Sequence, residues 1–586
     1  MAAALLRFWG LTWGLPDDTH LFSYHPDEYF SLATALSVAL EGDPNPHFFN
    51  YGTLYMSLVA VVARFAHHLP IHGPEDLTRA MPQLILDARL VTVVLGVLTV
   101  VLVFGVGRSL FGRTAGLAAA ASLAVMPLHA VHGHYATVDV PATFSMVLCL
   151  LFTAPILAYA TVSRRRGRSS RRAFAPGRLY FLAGAAAGLA AATKYNGGLA
   201  IIFPLAAHVL SNGRGGRGTR AWLRLIDRRV ALTVGALVLG FIIGCPYALL
   251  SPAEWWGSVE SFQGVSYELH HMRVGEHPAV EATPPGPVFH LVGSLAYGLG
   301  WPTLVLALVA VVYAVVKRRR RDWLLLSFLA AWFIMISLAN VRYMRYAIPM
   351  LPILALLIGR MLNGLMQRAR EPQSRLKRAG LQALRIATVV ALCHALVYTW
   401  AYDDAMASVA GTGGARADCL PRAGAGVGDT VGLIWPPWFC HPPVAYVNGG
   451  AMLRAMPVWR QFRRSPYEVR ALGYDPPQQL PEFYVVTSFE LRDHERVGTE
   501  AWRNVSQTLA THYTHVVQYD PAGQLGKLPG ADMHNAPMDW LYPFPQISVY
   551  RLRSGDGPAS TEAAGGSDGS MVEESGVDGQ WPSGER

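Results

Sequence analysis

The sequence has 586 residues, of which 52% are hydrophobic and 15% are charged, against about 25% charged residues in an ordinary soluble domain. This composition excludes a disordered or fibrous chain, argues against a soluble enzyme, and is typical of a polytopic membrane protein with a water-exposed part. The formal net charge is +10, and the five cysteines are too few for a disulfide-built scaffold.

Apolar runs that approach the roughly 20 residues of a membrane span recur between Leu84 and Trp400. They predict a polytopic α-helical membrane domain over residues 1–400 with about ten to eleven spans. The ten candidate spans are 84–107, 115–131, 140–160, 179–193, 197–211, 230–250, 288–316, 323–340, 347–366 and 379–400.

Arginine-rich loops between these runs predict the orientation. The basic loops are 163–178, 212–229, 317–322 and 367–378. Because Lys and Arg mark the cytoplasmic side, the loops around Asp139, Lys194 and 340–346 are predicted to face outside. We interpret the arginine runs as a topology signal and expect a multi-pass plasma-membrane protein embedded in the lipid bilayer, with no nucleic-acid partner.

Residues 15–83 are predicted to form a first outer loop with juxtamembrane helices. Within it, 52–70 is apolar but contains Arg64, so it either spans the membrane or lies in the interface. The neighbouring residues 15–50 are acidic, which suits the outside, and we therefore favour an interfacial amphipathic helix.

Residues 401–553 are predicted to form an extracytoplasmic soluble α/β domain. Its strand-like runs are Thr430–Trp435, Tyr484–Ser488, His515–Tyr519 and Ile547–Leu552. Cys419 and Cys440 fall in this domain, and the sequence leaves open whether they form a disulfide. Residues 554–586 are rich in Gly, Ser, Asp and Glu, and a disordered tail is expected there.

Two acidic motifs are candidates for catalysis. In HPDEYF, His25 precedes Asp27 and Glu28 at a predicted helix start, which is consistent with either a capped interfacial helix or a general base at the membrane surface. Asp139 follows HGHYATV where a span enters the membrane; an acid there is costly and therefore suggests function, although a helix N-cap is the alternative. The His132, His134 and Asp139 spacing fits no established metal site, so no metal and no cofactor are predicted.

Basic motifs on the same predicted face are candidates for binding phosphate. Lys194 in TKYNG could act as a point charge, and Arg342 and Arg345 in NVRYMRYAIP could bind phosphate bidentately. Arg89 in DARL is a weaker candidate of the same kind. The alternatives are a snorkelling lysine and a plain aromatic belt. Together, acids and bases at one interface form the layout that an anionic lipid-linked substrate requires.

In their order and spacing, these motifs resemble the GT-C type polytopic glycosyltransferases of the family 39 kind, which include protein O-mannosyltransferases and lipid A aminoarabinose transferases. The segments that carry the resemblance are RFWGLTWGLP, HPDEYF, DARLVTVVLG, HGHYATVDVPATF, ATKYNG and RYMRYAIPMLP, followed by PFPQISVYRLR near the C-terminus. The family implies a first span before RFWGLTWGLP, so an additional upstream helix is expected. The Lys-Pro-Pro motif of many lipid A-modifying members is replaced by FNYGTL at Phe49–Leu54, which argues against aminoarabinose as the sugar.

The resemblance implies inverting transfer of a sugar from a polyprenyl-phosphate donor to an acceptor hydroxyl of a protein, lipid or glycan. It implies that Asp27 is the catalytic aspartate, with Asp139 as the second acidic position and Lys194 on the donor phosphate. We further expect Glu28 to be catalytic, Arg342, Arg345 and Arg89 to bind the donor phosphate, and His25, Tyr195 and Tyr343 to bind acceptor or sugar. The alternatives are a metal-dependent, oligosaccharyltransferase-like glycan transferase and a non-catalytic membrane protein or transporter.

Overall fold

The computed structural model describes the chain except residues 18–19, 21–22, 42, 67–73, 166–175, 213–226, 277, 369–373, 411–412, 445–464, 522–532 and 555–586. The predicted tail therefore lies almost wholly outside the described residues, as do the centres of the arginine-rich loops 163–178 and 212–229. The described part is mostly α-helical, with one sheet near the C-terminus.

Helices follow one another from the N-terminus to Ala423. Those before residue 245 are Ala2–Phe8, Pro26–Glu41, Leu54–Ala66, Pro74–Phe111, Arg113–Ala124, Pro127–Val131, Asp139–Arg165, Gly177–Thr193, Ile202–Asn212 and Arg228–Gly244. The loop that follows carries Tyr247–Leu250, Pro252–Trp256, Gly264–Val274 and Ala279–Ala282. The remaining helices of this part are Gly286–Val288, Ala296–Leu299, Trp301–Lys317, Arg320–Leu338, Met350–Arg368, Arg375–Ala410, Gly413–Ala417 and Cys419–Ala423.

Helices occur at all ten predicted spans, which confirms a polytopic integral membrane protein. Among the described residues, five helices are long and apolar enough to cross a bilayer, or seven if each of two bent pairs forms one span. Three of the predicted spans, 179–193, 197–211 and 230–250, correspond to helices of 17 residues or fewer. A 17-residue helix rises about 25 Å, slightly less than the roughly 30 Å hydrocarbon thickness of a bilayer.

Two predicted spans are broken rather than continuous, which corrects the sequence interpretation. The run 115–131 bends by 68° before Pro127, and the run 288–316 bends by 117° at Gly300. Proline has no backbone N–H to donate within a helix. Gly300 has φ +73°, a left-handed conformation that favours glycine. The 117° bend at Gly300 therefore depends on the conformation of one glycine, which a pattern of apolar residues does not take into account.

Close backbone packing joins the helices Gly177–Thr193 and Arg228–Gly244. A Cβ atom on Gly188 would lie 2.1 Å from the carbonyl oxygen of Leu237, so only glycine permits this approach. The first loop packs equally closely on the same helix, because a Cβ atom on Gly52 would lie 2.1 Å from the carbonyl oxygen of Ala192. This contact places residues 49–53 beside Lys194.

The ambiguous segment of the first loop forms the helix Leu54–Ala66. Its 13 residues are fewer than the roughly 20 that a span requires, which fits the interfacial prediction. At the other end of the membrane domain, the helix Arg375–Ala410 continues past the predicted boundary at Trp400.

The C-terminal part contains a mixed five-stranded sheet in the order β2-β1-β3-β5-β4. The strands are β1 (Thr430–Leu433), β2 (Glu468–Ala471), β3 (Phe483–Thr487), β4 (Tyr513–Tyr519) and β5 (Ile547–Leu552). Helices Ser488–Val497 and Glu500–His512 connect β3 to β4, so the predicted α/β domain is present. Cys419 and Cys440 are both buried and unbridged.

Candidate functional site

Asp27 and Arg345 form an ion pair although 318 positions separate them in the chain. Asp27 lies in the first turn of the helix Pro26–Glu41, where the helix N-terminus favours an acidic side chain. Nη2 of Arg345 lies 3.2 Å from Oδ2 of Asp27, and the Asp27 side chain keeps 16% of its exposure. The candidate base is therefore held by a cation yet remains open to a substrate.

Asp139 and Lys194 form a second ion pair. Asp139 begins the helix Asp139–Arg165, and Lys194 follows the end of the helix Gly177–Thr193. Nζ of Lys194 donates to Oδ1 of Asp139 over 2.7 Å. The Asp139 carboxylate therefore binds a cation at the N-terminus of its helix.

The aromatic ring of Tyr346 connects the two pairs. Nζ of Lys194 lies 4.6 Å from the centre of this ring, and the guanidinium carbon of Arg345 lies 5.9 Å from it. The same guanidinium lies 3.9 Å from the ring centre of Tyr343. Two carboxylates and two cations therefore gather around adjacent tyrosines, which assembles four of the predicted site residues, namely Asp27, Asp139, Lys194 and Arg345.

Glu28 and Arg89 form a separate, fully buried ion pair. Glu28 accepts from Nε and Nη2 of Arg89 over 2.8 and 2.7 Å, and also from the Ala136 amide over 2.7 Å. Nη1 of Arg89 donates to the carbonyl oxygens of Leu11 and Trp13, each over 2.6 Å. These contacts tie the N-terminal segment to the first loop, so the geometry favours a positioning role for both residues.

Arg342 and Tyr343 support the loop that precedes residue 284. Nη1 of Arg342 donates to the carbonyl oxygens of Val280 and Thr283 over 2.7 and 2.9 Å. The Tyr343 hydroxyl donates to Glu276 over 2.5 Å. Tyr343 thus lies at the cluster with its ring against Arg345. Arg342 instead holds the loop that contains Val280 and Thr283.

His25 and Tyr195 shape the backbone around the cluster. The Asp27 amide donates to Nδ1 of His25 over 3.2 Å, and burial lowers the pKa of His25 to about 3, so this imidazole is neutral at pH 7. The Tyr195 hydroxyl donates to the carbonyl oxygens of Phe49 and Tyr51 over 2.8 and 3.1 Å. Tyr195 therefore helps to fix the segment around Gly52 beside Lys194.

The histidines near Asp139 have different environments. His134 contacts the carbonyl oxygens of Val131 and Trp9 through its two ring nitrogens. Both ring nitrogens of His132 are buried without a hydrogen-bond partner among the described residues. Within the part of the chain that the structure describes, no group of three or more His, Cys, Asp or Glu side chains is arranged to hold a metal ion.

Two further residues contact Arg345, and a third, Glu268, is influenced by the charges of the cluster; none of the three was identified from sequence. Asp539 accepts from the Arg345 amide over 3.1 Å, and Tyr542 contacts Nη1 of Arg345 over 3.1 Å. Burial raises the pKa of Glu268 to about 7, opposed by the charge of Lys194 and reinforced by that of Asp27. For Asp539 and Tyr542 the available signal was the acidic and aromatic composition of DWLYPF, which overlaps the start of the PFPQISVYRLR motif.

We expect Asp539 to make stability depend on pH between about 4 and 6. Burial raises the pKa of Asp539 from 3.8 to about 6, against the opposing effect of Arg345. Because the folded chain then binds this proton more tightly than the unfolded chain, stability falls as pH rises through this interval. The melting temperature of the wild type minus that of Asp539→Asn, measured in detergent, should therefore decrease from pH 4 to pH 6 and then level off. A difference that rises with pH would contradict the assignment.

Several solved structures resemble this fold. ArnT from Cupriavidus metallidurans bound to undecaprenyl phosphate has 16% identity and a TM-score of 0.48, with 93% of this chain and 96% of that chain covered. The Archaeoglobus fulgidus oligosaccharyltransferase in the apo form has 13% identity and a TM-score of 0.49, with 89% and 73% covered. The complex of the A. fulgidus enzyme AglB with an inhibitory peptide and a dolichol-phosphate has 13% identity and a TM-score of 0.43, with 68% and 57% covered.

The sequence comparison with protein families is more specific. No curated protein matches the chain. Residues 81–243 match the family described as dolichyl-phosphate-mannose-protein mannosyltransferase. The matched region includes Arg89, Asp139 and Lys194, and it ends within the helix Arg228–Gly244. The match confirms the resemblance carried by the motifs, and it supports a membrane glycosyltransferase of the GT-C type.

Proposed function

We propose that this chain is an inverting glycosyltransferase that moves one sugar from a polyprenyl-phosphate donor to an acceptor hydroxyl at the extracytoplasmic membrane face. The observation that carries the proposal is the assembly of Asp27, Arg345, Asp139 and Lys194 around Tyr346. The matched family is described by the donor dolichyl-phosphate-mannose, a sugar carried on a polyprenyl phosphate. The donor sugar and the acceptor are left open.

Asp27 is the proposed general base. It would take the proton of the acceptor hydroxyl as that oxygen bonds to the anomeric carbon. The bond from this carbon to the phosphate oxygen breaks on the opposite face, and its electron pair leaves with the lipid phosphate. No covalent enzyme intermediate is formed, so the configuration inverts once. A positioned base of this kind contributes about 10²–10⁴-fold to a rate.

Lys194 and Arg345 are the proposed phosphate ligands. The donor is a phosphodiester with a single negative charge, whereas the departing monoester acquires up to about two charges near neutral pH. Cations held in place before the reaction stabilise this developing charge without reorganisation. Asp139 and Asp27 hold the two cations until the phosphate arrives, which keeps the empty cluster electrically balanced.

The other predicted site residues receive supporting roles in this proposal. Tyr343 supports the Arg345 guanidinium, and Tyr195 orders the backbone beside Lys194. His25 holds the Asp27 amide. Direct phosphate binding by Arg89 and Arg342, and direct catalysis by Glu28, remain predictions, and Arg89→Ala distinguishes phosphate binding from positioning for Arg89.

Lys194→Ala is expected to lower kcat/KM for the donor by about 10²-fold or more, because one preorganised charge at the leaving group is lost. At a constant acceptor concentration, the initial rate should depend on donor concentration differently from that of the wild type. The measurement is the initial rate of polyprenyl-phosphate release across a donor titration.

Two further variants make the Lys194 result specific. Lys317 also lies over a tyrosine ring, 5.6 Å from the centre of Tyr313, and within the described part of the chain it makes no contact with the cluster. Lys317→Ala should therefore leave the donor dependence unchanged. Adding Asp139→Asn to Lys194→Ala removes the carboxylate that would otherwise be buried without a partner, and so protects the fold. An unaltered donor dependence in Lys194→Ala would argue against phosphate binding by this lysine.

A further inference from the structure

The segment Met538–Phe544 of the C-terminal domain is fixed onto the membrane domain. Trp540 is fully buried, and its ring lies 4.3 Å from the ring of Tyr402 in the helix Arg375–Ala410. The Tyr402 hydroxyl donates to the carbonyl oxygen of Trp540 over 2.6 Å. Phe544 packs edge-on against the same tyrosine at 5.4 Å. This docking leaves little freedom to the residues between them.

Asp539 and Tyr542 project from this fixed segment onto Arg345. Asp539 is 2% exposed and Tyr542 is 5% exposed. One carboxylate oxygen of Asp539 accepts from the Arg345 backbone amide, and the Tyr542 hydroxyl lies 3.1 Å from Nη1 of the guanidinium. The ring of Tyr542 also lies 4.9 Å from that of His25, at the start of the Asp27 helix.

The guanidinium of Arg345 is therefore held at both ends and on one face. Nη1 contacts Tyr542, Nη2 contacts Asp27, and the ring of Tyr343 lies beneath. A free arginine side chain samples many rotamers, and fixing it in the one rotamer that binds phosphate costs conformational entropy. Contacts that already hold this rotamer reduce that cost when the phosphate binds. Two of the groups that hold Arg345 come from the soluble domain rather than from the membrane helices.

We propose that Asp539 and Tyr542 are positioning residues that preorganise Arg345 for the donor phosphate, and that the C-terminal domain is in this way part of the active site. The inference rests on the proposed function, because it assigns the phosphate to Arg345. It adds that the membrane helices alone present an incompletely ordered phosphate site.

A double-mutant cycle on lipid binding tests this directly. The probe is undecaprenyl phosphate, titrated against the full chain in detergent, for wild type, Tyr542→Phe, Arg345→Ala and the double variant. Loss of one hydrogen bond to a charged group should weaken binding by Tyr542→Phe about tenfold. Because Tyr542 acts through Arg345, the double variant should bind no more weakly than Arg345→Ala alone. Asp539→Ala is expected to follow the same pattern.

Tyr513→Phe is the matched control. Tyr513 is buried in the same domain and donates one hydrogen bond to the Pro481 carbonyl over 2.8 Å, without a recorded contact to the cluster. It should alter the melting temperature about as much as Tyr542→Phe while leaving lipid affinity unchanged. The positioning role would be overturned if Tyr542→Phe bound undecaprenyl phosphate as tightly as the wild type. It would also be overturned if the losses of the two single variants added up in the double variant. Neither result would overturn the proposed function. Failure of the wild type to bind the lipid would overturn the proposed function and this inference with it.

Discussion

Asp27→Asn should reduce sugar transfer by about 10²–10⁴-fold, because the amide cannot accept the proton of the acceptor hydroxyl. Asparagine has nearly the same shape as aspartate and keeps an oxygen toward Nη2 of Arg345. The fold should therefore persist, and the loss should appear in kcat rather than in the amount of folded protein. The measurement is the transfer rate at saturating donor, together with the melting temperature of each purified variant.

Asp43 provides the matched control for Asp27→Asn. It is an exposed carboxylate of the same loop and accepts from His47 over 3.0 Å. Asp43→Asn should transfer sugar at close to the wild-type rate. If Asp27→Asn retained a rate near that of Asp43→Asn, Asp27 could not be the base, and Glu28 or Glu268 would become the carboxylates to test.

Arg89→Ala should have the largest effect on stability. It would leave Glu28 buried without its cation and remove two hydrogen bonds to Leu11 and Trp13. Breaking one partner of a buried ion pair costs about 3–5 kcal/mol. Burial alone would raise the pKa of Glu28, but the charge and hydrogen bonds of Arg89, together with smaller effects of His25 and Ser23, keep it below its ordinary value; without Arg89 the buried carboxyl loses its main stabilising partner. The measurement is the melting temperature in detergent and the yield of folded protein.

An exposed ion pair supplies the comparison for Arg89. Arg470 contacts Glu468 over 2.6 Å at the edge strand β2, where the two side chains keep 34% and 57% of their exposure. Arg470→Ala should change stability by about 1 kcal/mol or less. If Arg89→Ala were as stable as Arg470→Ala but bound undecaprenyl phosphate weakly, Arg89 would be a direct phosphate ligand after all.

The acidic pair Asp27-Glu28 shows where sequence reasoning reached its limit. The motif and the family resemblance located both acids. They could not show which acid lies in the candidate site and which one has a structural role. Successive side chains on an α-helix point about 100° apart. Asp27 therefore faces Arg345, while Glu28 faces the helix Pro74–Phe111 and its Arg89. The pairing of each acid with its arginine depends on how the helices pack. The spacing of residues in a single sequence does not show that packing.

The C-terminal domain shows both the success and the limit of pattern-based prediction. Four strands were located because their apolar runs are continuous, and Ile547–Leu552 has the predicted bounds. Strand β2 was missed because Glu468–Ala471 is short, polar and at the sheet edge, where charged residues are common. The contact of Asp539 and Tyr542 with Arg345 joins residues about 195 positions apart by numbering, and local periodicity carries no information about such a pairing.

The most direct test of polyprenyl-phosphate-dependent glycosyl transfer is the consumption of a polyprenyl-phosphate sugar by membranes that contain this chain. Donors carrying different labelled sugars would be incubated with envelope acceptors, and the release of free polyprenyl phosphate would be followed beside Asp27→Asn membranes. The wild type should consume at least one donor and transfer its single sugar to a hydroxyl, whereas Asp27→Asn membranes should show no activity above background. Consumption of no donor, or transfer of an assembled glycan only when a divalent metal is supplied, would contradict the proposed function.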